Sequence, residues 1–342
     1  MDLLKVLACC FSLCVVHTAT ETWYDFYYNG FDYGWVIDNT YDNLLRWGPG
    51  VFLMITGATL LDRDIPVSKI YTKYIPKALM FLIVWGEIYF FIQYKDFSIG
   101  NLLPNIWRYF LKLCTGNYHI HLWYLYMLIG MYIITPPLRI LCKNATKRQL
   151  LYVLAILFVF KILMQYVEIV LPGIERTVKD LKLDFPDLLI YYLGGFYLHK
   201  YGMAKKWRIM LYIVAVVISV GLSAYSSIMS LRRNELVTAS GNMYLGTCLL
   251  IFAAFTSASA NRDKIQNNKF VEKLNGFYRP LNFGIYMIHL GVIEWFTSIG
   301  ITGHSINPIL GIPLLGICAF LISTALTLII SKIPVLRKIV VW

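Results

Sequence analysis

Six ionisable side chains interrupt otherwise apolar runs of this chain: His17, Glu87, His121, Lys161, His289 and Glu294. A titratable group among apolar neighbours is costly unless it is paired or used, so these positions are where chemistry is sought first. Histidine takes and returns a proton readily, because its ordinary pKa lies near neutrality. His17 stands twelve residues after Lys5. On a helix that separation is about 18 Å, with Lys5 near one surface of a membrane and His17 deep toward the other. The competing reading of His17 is a buried histidine bonded to a carbonyl. His121 opens an apolar run within His119-Ile120-His121-Leu122-Trp123-Tyr124. Two histidines two positions apart face different sides of a helix and make a poor metal pair. Their aromatic neighbours also fit the belt at a membrane–water interface. His289 falls in the middle of the run 281–299, too deep for an interfacial role.

The elements that position these groups follow from composition. Of 342 residues, 58% are hydrophobic and only 15% charged, with mean hydropathy +0.61. Soluble domains carry about a quarter charged residues, whereas a bilayer covers apolar surface. A membrane-crossing helix needs roughly 20 mostly apolar residues. Ten runs are candidates: 2–19, 47–61, 76–94, 119–141, 149–171, 186–200, 208–229, 243–260, 281–299 and 309–331. The second and sixth are short, as tilted, broken or re-entrant segments are. No polar linker divides them. The expectation is one all-α integral membrane domain over residues 1–342, with about ten transmembrane helices.

Lys and Arg set the orientation. Pooling alternate loops puts more than twice as many on one side, which is therefore cytoplasmic and holds both termini. The net charge of +12 is then a matter of basic loops beside anionic lipid and calls for no nucleic acid. Residues 1–20 also fit a cleavable signal peptide, through Lys5, an apolar run and Thr18-Ala19-Thr20; cleavage would remove His17. The cysteines show no metal spacing and lie mostly in apolar runs, where they act as small hydrophobes. Neither a metal site nor a disulfide framework is expected. Asn144-Ala145-Thr146 has the form of a glycosylation sequon but falls on the cytoplasmic side.

Four segments resemble the acyltransferase-3 family, most closely its smaller members that O-acetylate surface polysaccharides. Asp2 to Ala8 with Val15-Val16-His17 resembles the first helix, Val51-Phe52-Leu53-Met54-Ile55-Thr56-Gly57 the "FFMISG" segment, His121-Leu122-Trp123-Tyr124 through Pro136-Pro137-Leu138 the "HLW…P" helix, and Gly284-Ile285-Tyr286-Met287-Ile288-His289 the "GIYxxH" helix. They occur in family order and span nearly the whole chain. Lys5 departs from the family's arginine and lies one residue further from the histidine; Thr56 and Asn282 stand where serine is common.

The resemblance implies transfer of an acyl group, usually acetyl, from cytoplasmic acyl-CoA to a hydroxyl of a cell-surface or lipid-linked glycan, at the cell membrane and without a metal. His17 is the expected base and His121 the group that orients the acceptor. Lys5, Arg63, Lys69, Lys73, Lys77 and Arg139 are the cations available to coenzyme A phosphates, with ordinary loop charge as the alternative. Thr56, Trp123, Tyr286 and His289 complete the candidate set. Residues 20–46, rich in Trp, Tyr and Asp, suit either sugar contact or an interfacial belt. A homo-oligomer is compatible with all of this. A glycan transporter or flippase would share many spans and charged midplane residues, as would a non-catalytic membrane subunit, but no inverted repeat is visible.

Overall fold

The computed structural model describes residues 3–95, 98, 101–116, 119–170, 186–260 and 268–341, with side chains from Cys10 onward except at 168–170, 258–260 and 275. The Lys5 side chain lies outside the described residues. The helices in chain order are α1 (Leu3–Thr20), α2 (Trp23–Asn29), α3 (Tyr33–Leu45), α4 (Gly48–Leu60), α5 (Val67–Tyr94), α6 (Leu102–Cys114), α7 (Ile120–Asn144) and α8 (Lys147–Val167). Then come α9 (Leu189–Tyr201), α10 (Lys205–Arg233), α11 (Leu245–Ala260), α12 (Lys269–Tyr278), α13 (Asn282–Ser298), α14 (Pro308–Ser331) and α15 (Pro334–Arg337). There is no strand among the described residues. Helices occupy all ten apolar runs, and five of them (α5, α7, α8, α10 and α14) are long and apolar enough to cross a membrane. Their outer faces carry exposed Ile213, Val217, Leu310, Leu314 and Leu321, the inverse of a water-soluble surface.

The short second run has a local cause. Gly48-Pro49-Gly50 opens α4, and the chain before it already forms α3, so the two make one broken segment. Asp32 caps α3, its carboxylate accepting from the backbone N–H of Gly34 at 2.8 Å and of Trp35 at 3.3 Å. Asn39 of α3 donates to the hydroxyls of Ser226 and Ser227 at 2.8 Å each. These belong to a stripe of buried serines on α10, which supplies polar partners where lipid cannot.

Three helices fix the positions of His17 and His289. Cys10 lies beside the Asn282 carbonyl, and His17 beside His289, so α1 and α13 run parallel. Phe11 lies beside Phe320, and Val15 beside Gly316, so α14 runs antiparallel to α1. The two ends of the bundle differ chemically. One, called here the basic end, holds Arg63, Lys73, Lys77 and Arg279; the other, the aromatic end, holds α2, α3 and the turn 299–307.

Helices α4 and α9 cross in backbone contact. A Cβ on Gly57 would stand 1.9 Å from the Tyr192 carbonyl oxygen, and one on Gly195 2.0 Å from that of Met54. Gly57→Ala must therefore force the helices apart and is expected to destabilise the protein by about 1–3 kcal/mol. Gly130→Ala on α7, with nothing within 4 Å of the added Cβ, is expected to be neutral or slightly stabilising. Thermal unfolding of the two variants in detergent checks this; equal midpoints would show that the crossing is not tight.

Candidate active site

The His289 ring, 1% exposed, is tied at both nitrogens. Nδ1 is 2.6 Å from the carbonyl oxygen of Tyr286, one turn earlier on α13. A carbonyl only accepts, so Nδ1 carries the proton. In a neutral ring Nε2 is then an acceptor, and it lies 2.7 Å from Nδ1 of His17. His17 Nδ1–H donates to it, and the remaining nitrogen of His17, Nε2, holds a lone pair. The two rings are near-parallel, with centroids 4.9 Å apart. His17 is partly exposed whereas His289 is buried, so the free nitrogen belongs to the more accessible ring.

His121, also 1% exposed, stands with its centroid 5.9 Å from that of His289. The Tyr286 hydroxyl donates to the His121 carbonyl at 2.6 Å, joining α13 to the start of α7. His119 corrects the sequence expectation. It precedes the helix in an extended conformation, so the two rings do not face opposite sides, and the Nδ1 atoms of His119 and His121 lie 3.1 Å apart. His119 Nε2 is 2.7 Å from the Glu294 carboxylate, and its ring stacks on Tyr89 at 4.3 Å. No group of three or more possible metal ligands forms among the described residues.

Below the histidines lies a cavity of about 510 Å³ at the basic end, lined by Thr56, Arg63, Lys73, Lys77, Tyr132 and Arg279 among others. Lys73 sits on a wide π-helical turn of α5. Of the other cations expected for coenzyme A, Lys69 is exposed and outside the lining. Arg139 is buried and donates to the backbone carbonyls of Leu60 and Ile65, so it fastens the end of α4 and the following turn. Arg279 was not singled out from sequence; only its place just before the "GIYxxH"-like helix hinted at it. Between cavity and histidines stand Phe52, one turn from Thr56, and Tyr124 and Tyr286, with Phe52 centroids 6.3 and 6.4 Å from theirs. Trp123 packs against both main clusters of the core.

The geometry also places the other ionisable groups. Lys161 forms an ion pair with Asp187 at 3.0 Å. Both oxygens of Glu87 lie buried with no hydrogen-bond partner among the described residues. Asp38 and Asp42, in the segment suited to either sugar contact or an interfacial belt, are 0% exposed. Asp42 accepts from Arg46 at 2.7 Å, and Asp38 accepts from Thr22 at 2.7 Å and from His304 at 2.8 Å. Tyr24, Tyr27, Tyr28 and Tyr33 remain exposed there.

The sequence model of a family described as an acyltransferase domain matches residues 1–331. The chain belongs to the acyltransferase-3 family. No curated protein and no solved structure matches it. The histidine cluster and the basic cavity of this acyltransferase both lie within the matched region. In the turn before α14 the Asp38 carboxylate, accepting its hydrogen bond, holds the His304 imidazole above its ordinary value. A raised folded-state pKa gives stability that is complete below the unfolded value of about 6.5 and is lost as pH rises through the folded value. The gap in unfolding midpoint between the native protein and His304→Gln is therefore expected to be widest at about pH 5.5 and to narrow by about pH 9. A gap that does not change with pH would remove the clasp.

Proposed function

We propose that this acyltransferase moves an acyl group, acetyl being the simplest, from acyl-CoA bound at the basic end to a hydroxyl of a cell-surface or lipid-linked glycan reaching the site from the aromatic end. It does so as a ten-span protein of the cell membrane with both termini in the cytoplasm. The observation that carries the reading is the hydrogen-bond string from the Tyr286 carbonyl through His289 to His17, which leaves a base nitrogen on the partly exposed ring. Four cations around one cavity suit the phosphates of coenzyme A, and Phe52, Tyr124 and Tyr286 lie along the way from there to His17.

The chemistry balances within the site. His17 Nε2 takes the proton of the acceptor hydroxyl as its oxygen attacks the thioester carbonyl. The tetrahedral intermediate collapses, the carbon–sulfur bond breaks, and the coenzyme A thiolate receives the proton from the His17 imidazolium. The hydrogen bond from His17 to His289 keeps the ring oriented throughout, as an orienting partner does in other histidine bases. No metal is needed in this sequence of steps.

Acyl transfer from acyl-CoA by the purified protein in lipid nanodiscs tests the reading. His17→Ala is expected to lower turnover by about 10²–10⁴-fold while acyl-CoA still binds; near-normal turnover would place the base elsewhere. Arg63→Gln, Lys73→Gln and Arg279→Gln are each expected to raise the KM for acyl-CoA about tenfold, roughly one charge-assisted hydrogen bond. Lys69→Gln, outside the cavity, is expected to leave it unchanged. An unaltered KM in all four would reduce these cations to determinants of topology. Reporter fusions at the two termini are both expected on the cytoplasmic side, and an external C-terminal reporter would overturn the ten-span arrangement.

A further inference from the structure

We propose that Glu294 and His119 are a positioning pair that fixes the tautomer of His121, making its Nε2 a second hydrogen-bond acceptor for the glycan beside His17. The inference rests on the reading above of the site as an acyl-transfer centre. Its own basis is a second hydrogen-bond string, separate from the one that ends on His17.

The string starts at the aromatic end. The Glu294 side chain is 34% exposed and that of His119 15%, so the carboxylate sits at the mouth of the site and the imidazole just below. At 2.7 Å from Glu294, His119 Nε2 carries the proton and donates it to the carboxylate. His119 Nδ1 is then the acceptor of a neutral ring. The atom facing it at 3.1 Å is Nδ1 of His121, which must supply the proton. His121 Nε2 is left without one, and it is buried with no hydrogen-bond partner among the described residues. A buried nitrogen left unpaired is costly, and a bound hydroxyl would satisfy it.

The surroundings hold this arrangement in place. Tyr89 stacks on His119, and its hydroxyl donates to the Met287 carbonyl at 2.7 Å and accepts from the Gly291 backbone N–H at 3.1 Å. The His119 ring is thus fixed against α13, the helix that also carries Glu294 and His289. Both strings start on α13, so one rigid helix sets the proton positions of His17 and His121 together. A base alone binds one hydroxyl. A second acceptor nitrogen, His121 Nε2, selects a ligand with a further hydroxyl nearby, which is the chemistry of a sugar rather than of a simple alcohol.

Full-length protein labelled with ¹⁵N-histidine, in nanodiscs, tests this with two readouts. Imidazole ¹⁵N–¹H correlation spectra are expected to show His121 protonated at Nδ1 in the native protein, and a mixture of tautomers in Glu294→Gln and His119→Phe. In the transfer assay both variants are expected to lose about tenfold or more in kcat/KM for a glycan acceptor, with the KM for acyl-CoA unchanged. With a monohydric alcohol as acceptor the loss is expected to be much smaller. An unchanged His121 tautomer in both variants would overturn the proposal, as would equal losses for glycan and simple alcohol or a parallel rise in the acyl-CoA KM. If the native protein transfers no acyl group, the reading of the site fails, and the spectra still decide whether the string sets the His121 tautomer.

Discussion

The hydrogen bond from His289 Nδ1 to the Tyr286 carbonyl is short in sequence, three residues on one helix, but it governs the proton positions of the first histidine pair. A carbonyl has no proton to give, so it removes the tautomeric freedom of His289 and, through it, of His17. The rest of the structure serves to bring the partner ring to that nitrogen. Parallel packing of α1 on α13 sets the height of His17, and Val15 of α1 fits the space that Gly316 leaves on the antiparallel α14. His289 is buried, so little water competes with this bond.

The polarity of the bundle is as consequential as the cluster. The basic end collects cations from just after α4, from the first turns of α5 and from just before α13, and Arg139 fastens the end of α4 and the turn that leads to α5. The aromatic end closes with carboxylates that are used internally: Asp38 on Thr22 and His304, Asp42 on Arg46. At the mouth, burial and then the neighbouring Glu294 carboxylate push Glu21 up from the ordinary carboxylate value. The two ends of the bundle thus differ in charge, with cations at one and carboxylates at the other.

The apolar runs were legible in the sequence because hydrophobicity is summed over many residues and tolerates local exceptions. His17, His121 and His289 were legible because each is a lone polar group in such a run, and the structure brings all three together. What could not be read is what depends on contacts between distant residues. Asp38 and His304 are 266 positions apart, and no local pattern pairs them. The helical character of residues 23–45 was hidden by the same aromatic and acidic residues that suggested a sugar-facing surface. His119 stands immediately before α7, where its backbone is extended rather than helical, and helix periodicity, which does not apply there, hides the approach of its ring to His121. Lys161 drew attention by its depth, yet its partner Asp187 lies 26 positions on and pairs with it in space.

The three rings of Phe52, Tyr124 and Tyr286 have a consequence for the cell as well as for the substrate. A site open to a charged donor on one face and to a hydroxylated acceptor on the other is a leak in an energised membrane if water fills it. Each elementary charge that crosses dissipates about 2.3 kcal/mol per 100 mV. Phe52, Tyr124 and Tyr286 pack on one another between cavity and histidines, and apolar constrictions of this kind block conduction by staying dry. In the proposed reaction these rings flank the path of the acyl group and would also act as electrical insulation, so that group transfer would not short-circuit a gradient across the bilayer.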